Sequence, residues 1–555
     1  MLPRVLLRLL PWLAFALAPV LAAPVEATFN VRAFGATGDG RTLDSPAINR
    51  AIEAAAQAGG GTVVFPAGEY LSYSIRLRSH VGLHLGPGAT ILAADPPAPG
   101  TEGGYDAPEP NASTQCQDFG HSHWHNSLIW GEDLEGVTIT GPGRIYGRGL
   151  SRGNGRISRP VGTRYPPTGG ALPDVLAADG PVEFPPRPDL KPGPFGYPSA
   201  RDNLPAGVGN KAIALKNCRN VVLRDFTILH GGHFGILATG VDNLTIDNLL
   251  IDTNRDGMDI DSCSNVRIAN CSVNSPWDDG ICLKASYALN RNRPTENVTI
   301  TNCFVSGYDE GTLLDGTRQR LDAHRGGPIG RIKLGTEASG GFRAITISNC
   351  VFECCRGLAL EQVDGGEMAD ITVTNLVMRD LVNAPVFIRL GGRLRGPDVK
   401  QPGTARRIII SNVVAHNVAP DHGLFIAGVP GHRVEDVSLS NIHITYRGGG
   451  TAEQARRDVP ELERGYPEPE LFGVLPSWGL FARHVANFTL RDVKFELLQP
   501  DARPAARLDD VVGARFVRVE LPAGGPTAPW AIVNSAALRV QETTGLADGS
   551  LATKP

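Results

Sequence analysis

The chain has 555 residues, long for one compact domain but within reach of one solenoid, because each coil of a solenoid contacts only its neighbours. With 53 Lys and Arg against 57 Asp and Glu its formal charge is −4, so no basic excess points to nucleic acid or to any polyanion held by bulk charge. Gly 66 and Pro 43 stay short of a low-complexity composition, and 42% hydrophobic residues supply a long core.

The chain opens on Arg4 and Arg8, an apolar run from Leu9 to Val20 and a small-residue site at Val20-Leu21-Ala22-Ala23. This reads as a signal peptide over 1–22, too short to span a bilayer, with an N-terminal anchor as the other reading. No later run is long enough for a membrane helix, so the expectation is a protein exported to the periplasm or beyond, with no membrane partner. Nine Cys are present; Cys271, Cys303 and Cys350 each follow an Asn, which suggests one stacked phase of buried thiols more than a set of bridges. No Cys/His spacing resembles a zinc site.

After Phe29-Asn30-Val31-Arg32 and a Gly-rich turn, Ser45 and Pro46 can cap and start a helix. Ala47, Ile48, Ala51, Ile52 and Ala55 form one apolar stripe at helical spacing, ended by Gly59-Gly60-Gly61. Such a helix would plug the first coil and cover its apolar end. From Thr62 the pattern changes to short β-rich runs with turn residues between them. Residues 151–205 are rich in Pro and Gly and read as a long excursion.

A repeat then appears: an alternating strand, Asn or Asp, an apolar residue, a turn. Asp225, Asn248, Asn270, Asn302, Asn349, Asn375, Asn412 and Asn441 mark it, at steps of 23, 22, 32, 47, 26, 37 and 29 residues. A period near 22 with longer insertions predicts a parallel β-helix, with the Asn side chains bonding one another along the axis. The runs are β-branched and alternating, which excludes helices. The expected organisation is all-β: a solenoid over 29–500 with a short capping helix, an insertion at 316–334, further coils and a cap over 501–555, and a solvated helix at 450–464.

Counting from the glycines Gly235, Gly257, Gly280, Gly311 and Gly357, alternate residues point to the core and those between point out. The outward set includes Asp259, then Asp261, Lys284, Asp315 and Glu361; before the glycines stand Asp256, Asp278-Asp279 and Glu310. Asp-Gly pairs are also ordinary turn signals, but acids at matched phase on successive coils predict an outward carboxylate stack. Rungs about 4.8 Å apart would let splayed carboxylates reach the roughly 6.5–9.5 Å used for inverting glycoside hydrolysis. Crowded acids raise one another's pKa, which keeps one protonated. Calcium is another use of such a cluster.

Phe29–Gly40, the helix after it, and the segment Asn254–Gly280 with its two acidic motifs resemble glycoside hydrolase family 28, the polygalacturonase family of right-handed parallel β-helices. The likeness covers about residues 29–500. It implies that Asn254-Arg255-Asp256 stands for the family's Asn-Thr-Asp motif, with Arg for Thr, and Asp278-Asp279 for its Asp-Asp motif. Asp278 would then be the general acid, and Asp256 and Asp279 would hold and deprotonate the attacking water, with inversion and without a metal or other cofactor.

Two departures are visible. Where the family has Gly-His-Gly stands Tyr308-Asp309-Glu310-Gly311, and where it has Arg-Ile-Lys the outward positions are Ala359 and Glu361. In the family those basic residues would bind a galacturonate carboxylate, which an acid would repel. A literal Arg331-Ile332-Lys333 lies in the insertion, either a coincidence or a basic pair restored from another rung; Lys284 and Arg389 are further cations. His233, one coil before Asp256, can touch substrate or bond to backbone. Trp124, Trp130 and Tyr146 can stack on sugar or pack under the excursion. The candidate substrate-binding set is thus Asn254, His233, Asp259, Asp261, Lys284, Asp309, Glu310, Arg331, Lys333, Glu361 and Arg389. The expected partner is a pectic or related polysaccharide or oligosaccharide, cut by inversion, with action from the chain end as one expected mode. The rival expectations are a calcium-dependent pectate-lyase-like enzyme and a non-catalytic sugar-binding β-helix.

Overall fold

The structure, a computed structural model, describes residues 27–98, 101–117, 120–151, 206–320, 328–397, 399–522 and 528–551. Residues 1–22, expected to be a signal peptide, and residues 152–205, expected to be an excursion, lie outside them. The chain folds as a right-handed parallel β-helix. The coils around the acids have three strands, as in Asp256–Asp261, Ser264–Ala269 and Ser272–Asn274, and from Phe342 on the second and third merge into one long strand such as Phe342–Glu353; the strands pair in parallel with their counterparts one coil on. Among the described strands one antiparallel ladder occurs, Leu538–Gln541 with Gly549–Leu551, and it closes the C-terminal end. The stack runs through residue 500 without a break, since Leu480–Ala486 pairs with Ala506–Val512.

Helix α1 (Ser45–Gln57) buries Ala47, Ile48, Ala51, Ile52 and Ala55, the stripe seen in the sequence. Its N-cap position is Asp44, one residue earlier than expected, and that carboxylate accepts from the Thr37 and Gly38 amides at 2.7 and 3.0 Å. Ser45 instead accepts from the Tyr73 amide at 2.8 Å.

Ten consecutive strands of the sheet that carries the acids are, in order, β1 (Ile129–Glu132), β2 (Lys211–Lys216), β3 (Phe234–Thr239), β4 (Asp256–Asp261), β5 (Ile281–Lys284), β6 (Ile332–Leu334), β7 (Leu358–Gln362), β8 (Val386–Leu390), β9 (Leu424–Ala427) and β10 (Leu480–Ala486). The expected rung at Gly311–Asp315 does not exist: β6 lies next to β5, with Ile281 opposite Ile332. Residues 309–315 form a turn off the body, and buried Asp252 holds it by accepting from the amides of Gly311, Leu313 and Leu314 at 2.9, 3.0 and 3.1 Å. Sequence phase failed here because that turn mimics the Gly-apolar spacing of a rung.

The Asn ladder forms in part: Asn270 donates to Asp247 at 2.8 Å and Asn349 to Thr301 at 3.4 Å, and the later steps join Asn to Asn. Asn441 donates to Asn412 at 2.7 Å, Asn412 to Asn375 at 3.1 Å and Asn375 to Asn349 at 3.0 Å. These positions have φ of 52–56°, a left-handed turn that Asn tolerates because its side chain bonds locally. All nine Cys are buried and none forms a disulfide. No helix among the described residues is long and apolar enough to cross a membrane.

The 450–464 stretch is not an α-helix; it holds a three-residue 3-10 turn, Gln454–Arg456, and a second one follows at Pro469–Phe472. This connection folds back over the acid-bearing sheet. Phe472 packs on Phe425 and Phe387 at ring distances of 5.0 and 6.3 Å, forming an apolar cluster with Phe481 on the outer face. Solvent-side positions of β8–β10 are therefore aromatic, because a second layer covers them.

Candidate active site

Asp256 begins β4, and Asp278-Asp279 end the turn before β5, so stacking of the two rungs brings the three acids together. The glycines after them allow that approach. A Cβ on Gly257 would meet the Gly280 carbonyl oxygen at 2.4 Å, and one on Gly235 the Gly257 oxygen at 2.5 Å. One carboxylate oxygen from each of Asp256, Asp278 and Asp279 lies within 4.8 Å of the others. That is shorter than the separation anticipated from rung geometry. Asp256 and Asp279 are buried, whereas Asp278 keeps 22% of its side chain exposed and accepts from Arg255 Nη2 at 2.6 Å.

The surroundings split the three acids. Burial, then the charges of Asp259 and Asp278, pushes Asp256 well above the usual carboxylate range. Burial also raises Asp278, against the pull of Arg255. Burial disfavours the Asp279 carboxylate too, but Lys333 and Arg331 outweigh it and hold this group below the usual range. Asp279 is thus the ionised member and Asp278 a protonatable one that solvent can reach.

The Arg331-Ile332-Lys333 sequence is no bystander. It forms β6, one rung beyond the acids, with Lys333 in register with Cys282 and Ala359. Arg331 Nε donates to Asp279 Oδ1 at 2.9 Å, and Lys333 Nζ lies 3.3 Å from Asp279 Oδ2. Glu361, the next outward acid, sits 3.5 Å from Lys333 and 3.8 Å from Arg331, fully buried, with neither oxygen hydrogen-bonded. Burial, reinforced by Glu468 and opposed by Lys333 and Arg331, leaves Glu361 pushed up to about 7.

Glu468 was not visible in the sequence. The folded-back connection places it over β6, where it pairs with Arg331, with Lys333 at 3.3 Å and with Arg356 at 2.7 Å. Burial opposes its charge, but these cations outweigh it and hold Glu468 well below the usual range. Nothing near residue 468 in the sequence announces a partner more than a hundred positions earlier. Glu337, also missed, binds Lys284 at 3.0 Å and Arg395 at 3.1 Å.

The remaining candidates divide. Asp259 is buried beside the cluster, 3.8 Å from Lys284 and 3.6 Å from His121, and burial raises it strongly. Asn254 is buried two residues before Asp256, its carbonyl accepting from the Trp277 amide at 3.1 Å. His233 is buried against Phe234 at 4.2 Å, and burial lowers it well below the ordinary imidazole value, which makes it neutral. Asp261 points the way phase counting predicts but is spent on structure, accepting from the Ser286 amide and hydroxyl at 2.8 and 2.5 Å. Asp309 and Glu310 leave the stack with their turn: Asp309 caps the Glu310 amide at 3.0 Å, and Glu310 pairs with His230. Arg389 lies beyond Glu361, bonded to the carbonyls of Gly428 and Glu461 at 2.8 Å. Trp124 is fully buried and donates to Thr239 at 3.0 Å, and half-buried Trp130 stacks on His125 at 3.9 Å.

Residues 28–92 match the family model described as rhamnogalacturonase A/epimerase, pectate lyase-like, and residues 201–325 match the one described as right handed beta helix region. An exo-poly-alpha-D-galacturonosidase of Dickeya chrysanthemi is 24% identical over 383 residues, 66% of this chain and 57% of that protein. The chain thus spans little more than half the length of that relative. A probable polygalacturonase of Vitis vinifera is 24% identical over 499 residues, 84% of each chain. Among solved structures, the family 28 exopolygalacturonase of Yersinia enterocolitica superimposes with a TM-score of 0.58 at 18% identity, covering 95% of this chain and 79% of that one. Fold and site together define a right-handed parallel β-helix with an outward carboxylate cluster on one sheet. At low identity the chain is similar to polygalacturonases, and it shares the fold of a family 28 exopolygalacturonase.

Proposed function

We propose that the protein is an exported glycoside hydrolase that cleaves pectic or related polysaccharide with inversion. The observation that carries this reading is the division of three adjacent carboxyls into an ionised Asp279 and a raised, solvent-reachable Asp278. Carboxyls whose surroundings push their pKa values apart are suited to opposite roles. In this reading a water attacks the anomeric carbon while Asp279, with Asp256 beside it, accepts the water's proton. The bond from the anomeric carbon to the leaving oxygen breaks, and Asp278 gives that oxygen its proton. Arg255 must release Asp278 or share it as substrate enters.

The three carboxylates are also a donor set for a divalent cation. Arg255, Arg331 and Lys333 already offset their charge, which favours the hydrolytic reading over a calcium-dependent lyase. The connection carrying Tyr466 and Glu468 walls the sheet beside the acids, which supports cleavage from a chain end.

The decisive experiment is the digestion of pectic fragments followed by time-resolved NMR of the new reducing end. A single inverted anomer and a mass gain of one water are expected. A retained anomer, or an unsaturated product whose formation stops with a chelator, would overturn the proposal.

A further inference from the structure

Among the described residues, each cation paired with the acids has a carboxylate partner within the protein, and Arg389, in register with Glu361, is spent on the carbonyls of Gly428 and Glu461. Arg255 is held by Asp278, Lys284 by Glu337, Arg331 by Asp279 and Glu468, Lys333 by Asp279, Glu361 and Glu468, and Arg356 by Glu468 and Glu470. These five cations leave no positive charge over for an incoming anion. A uronate would therefore bring one uncompensated negative charge into a buried site where Asp279 and Glu468 are already held ionised. Like charge in a desolvated site is strongly excluded.

Glu361 adds a positive preference. It is fully buried at the rung beyond Lys333, and both its oxygens lack hydrogen bonds, an expensive condition unless a ligand relieves it. Sugar hydroxyls are the donors that suit it. A carboxyl that titrates near neutrality can accept from such a hydroxyl or donate to it.

We infer that the sugar bound at the cluster is one without a carboxylate, a neutral or esterified residue of a pectic chain, and that Glu361 is the residue that selects it. This rests on the proposed hydrolase site and names its substrate class. Cations that look like a clamp for a uronate are, in this protein, the internal counter-ions of Glu361 and Glu468.

The test uses the full chain and a matched probe pair, a galacturonoside with its free carboxylate and the same glycoside as the methyl ester, together with neutral pectic disaccharides. Binding is measured by calorimetry and turnover by product release, in wild type, Glu361→Gln and Glu468→Gln. The wild type should take the ester, or a neutral disaccharide, at least about 100-fold better than the free acid. Glu361→Gln should cut that preference at least tenfold by releasing positive charge, and Glu468→Gln, which keeps residue 361, should cut it in the same direction. Binding of the free acid as tightly as the ester overturns the inference, as does binding of neither the ester nor any neutral sugar, or a preference unmoved in both variants. Should ligands bind with no product from any of them, the hydrolytic reading fails while the binding ratio still decides this one.

Discussion

Two faces of the same coil treat their outward residues in opposite ways. On Ser264–Ala269 buried residues alternate with exposed or half-exposed ones, as in any sheet with one wet side. On β4, one turn earlier, all six residues are buried, including Asp256, Asp259 and Asp261. The wet sheets carry charges too, but as exposed pairs such as Arg407 with Asp370 at 2.6 Å and Arg518 with Asp492 at 2.5 Å. Such pairs contribute little to stability, because water solvates either partner nearly as well. The β4–β7 charges have no such alternative. Their burial is a cost that structure alone does not require, and that is the physical reason for placing chemistry there.

The sharpest way to break this contrast is to remove one proton from the cluster while keeping its shape. Asp278→Asn should lower turnover by roughly 10³–10⁴-fold, the range for loss of a positioned acid, with the circular dichroism and melting midpoint close to wild type. A variant that stays active would show that Asp278 is only a turn residue, like its counterparts on the wet sheets.

Next comes the cost of orphaning a buried cation. Glu468→Ala leaves Arg331, Lys333 and Arg356 short of a partner, and should destabilise by about 3–5 kcal/mol in denaturant titration. Asp492→Ala, which strips Arg518 of its exposed partner, should leave the denaturation midpoint close to that of wild type. Equal losses in the two variants would erase the distinction between the faces.

The pH response should separate the faces as well. In the proposed mechanism Asp279 works ionised and Asp278 protonated, so the rate should fall on the acid side as Asp279 gains its proton and on the alkaline side as Asp278 loses its own. Stability follows Glu361, whose value is raised from 4.5 to about 7 on folding. The folded state binds that proton more tightly, so this contribution is fully present below about 4.5 and is lost as pH rises through about 7. Wild type should therefore lose up to about 3 kcal/mol relative to Glu361→Gln across that window. A difference that stays flat with pH would mean that Glu361 is ionised in the fold like a surface acid.

Where one side of a strand meets water, sequence alternation reports the structure directly: the solenoid, its capping helix, the Asn positions and the Asp256–Asp279 pairing were all legible. Phase failed where the chain supplied a false rung, because Gly311-Thr312-Leu313-Leu314 has the right residue types but is held as a turn by Asp252. It also understated Arg331-Ile332-Lys333, which the turn displaced from its expected distance. Glu468 was out of reach altogether, since its contacts arise from a connection docked by Phe472 rather than from any local period.

The smallest effect tests the quiet face. Asn412 sits at φ 56°, donates to Asn375 at 3.1 Å and Thr374 at 3.0 Å, and accepts from Asn441 at 2.7 Å, all in contact with water. Two contributions are mixed there, tolerance of the left-handed turn and the ladder bonds. Asn412→Gly removes the bonds and keeps the turn unstrained, so it should cost only about 0.5–1 kcal/mol. Asn412→Ala adds the strain of a Cβ in that conformation, and should cost about 1 kcal/mol more. Chemical denaturation of the pair, read against wild type, separates the two. An Ala variant as stable as the Gly variant would show that the turn imposes no strain, and that the Asn column is held by its bonds alone.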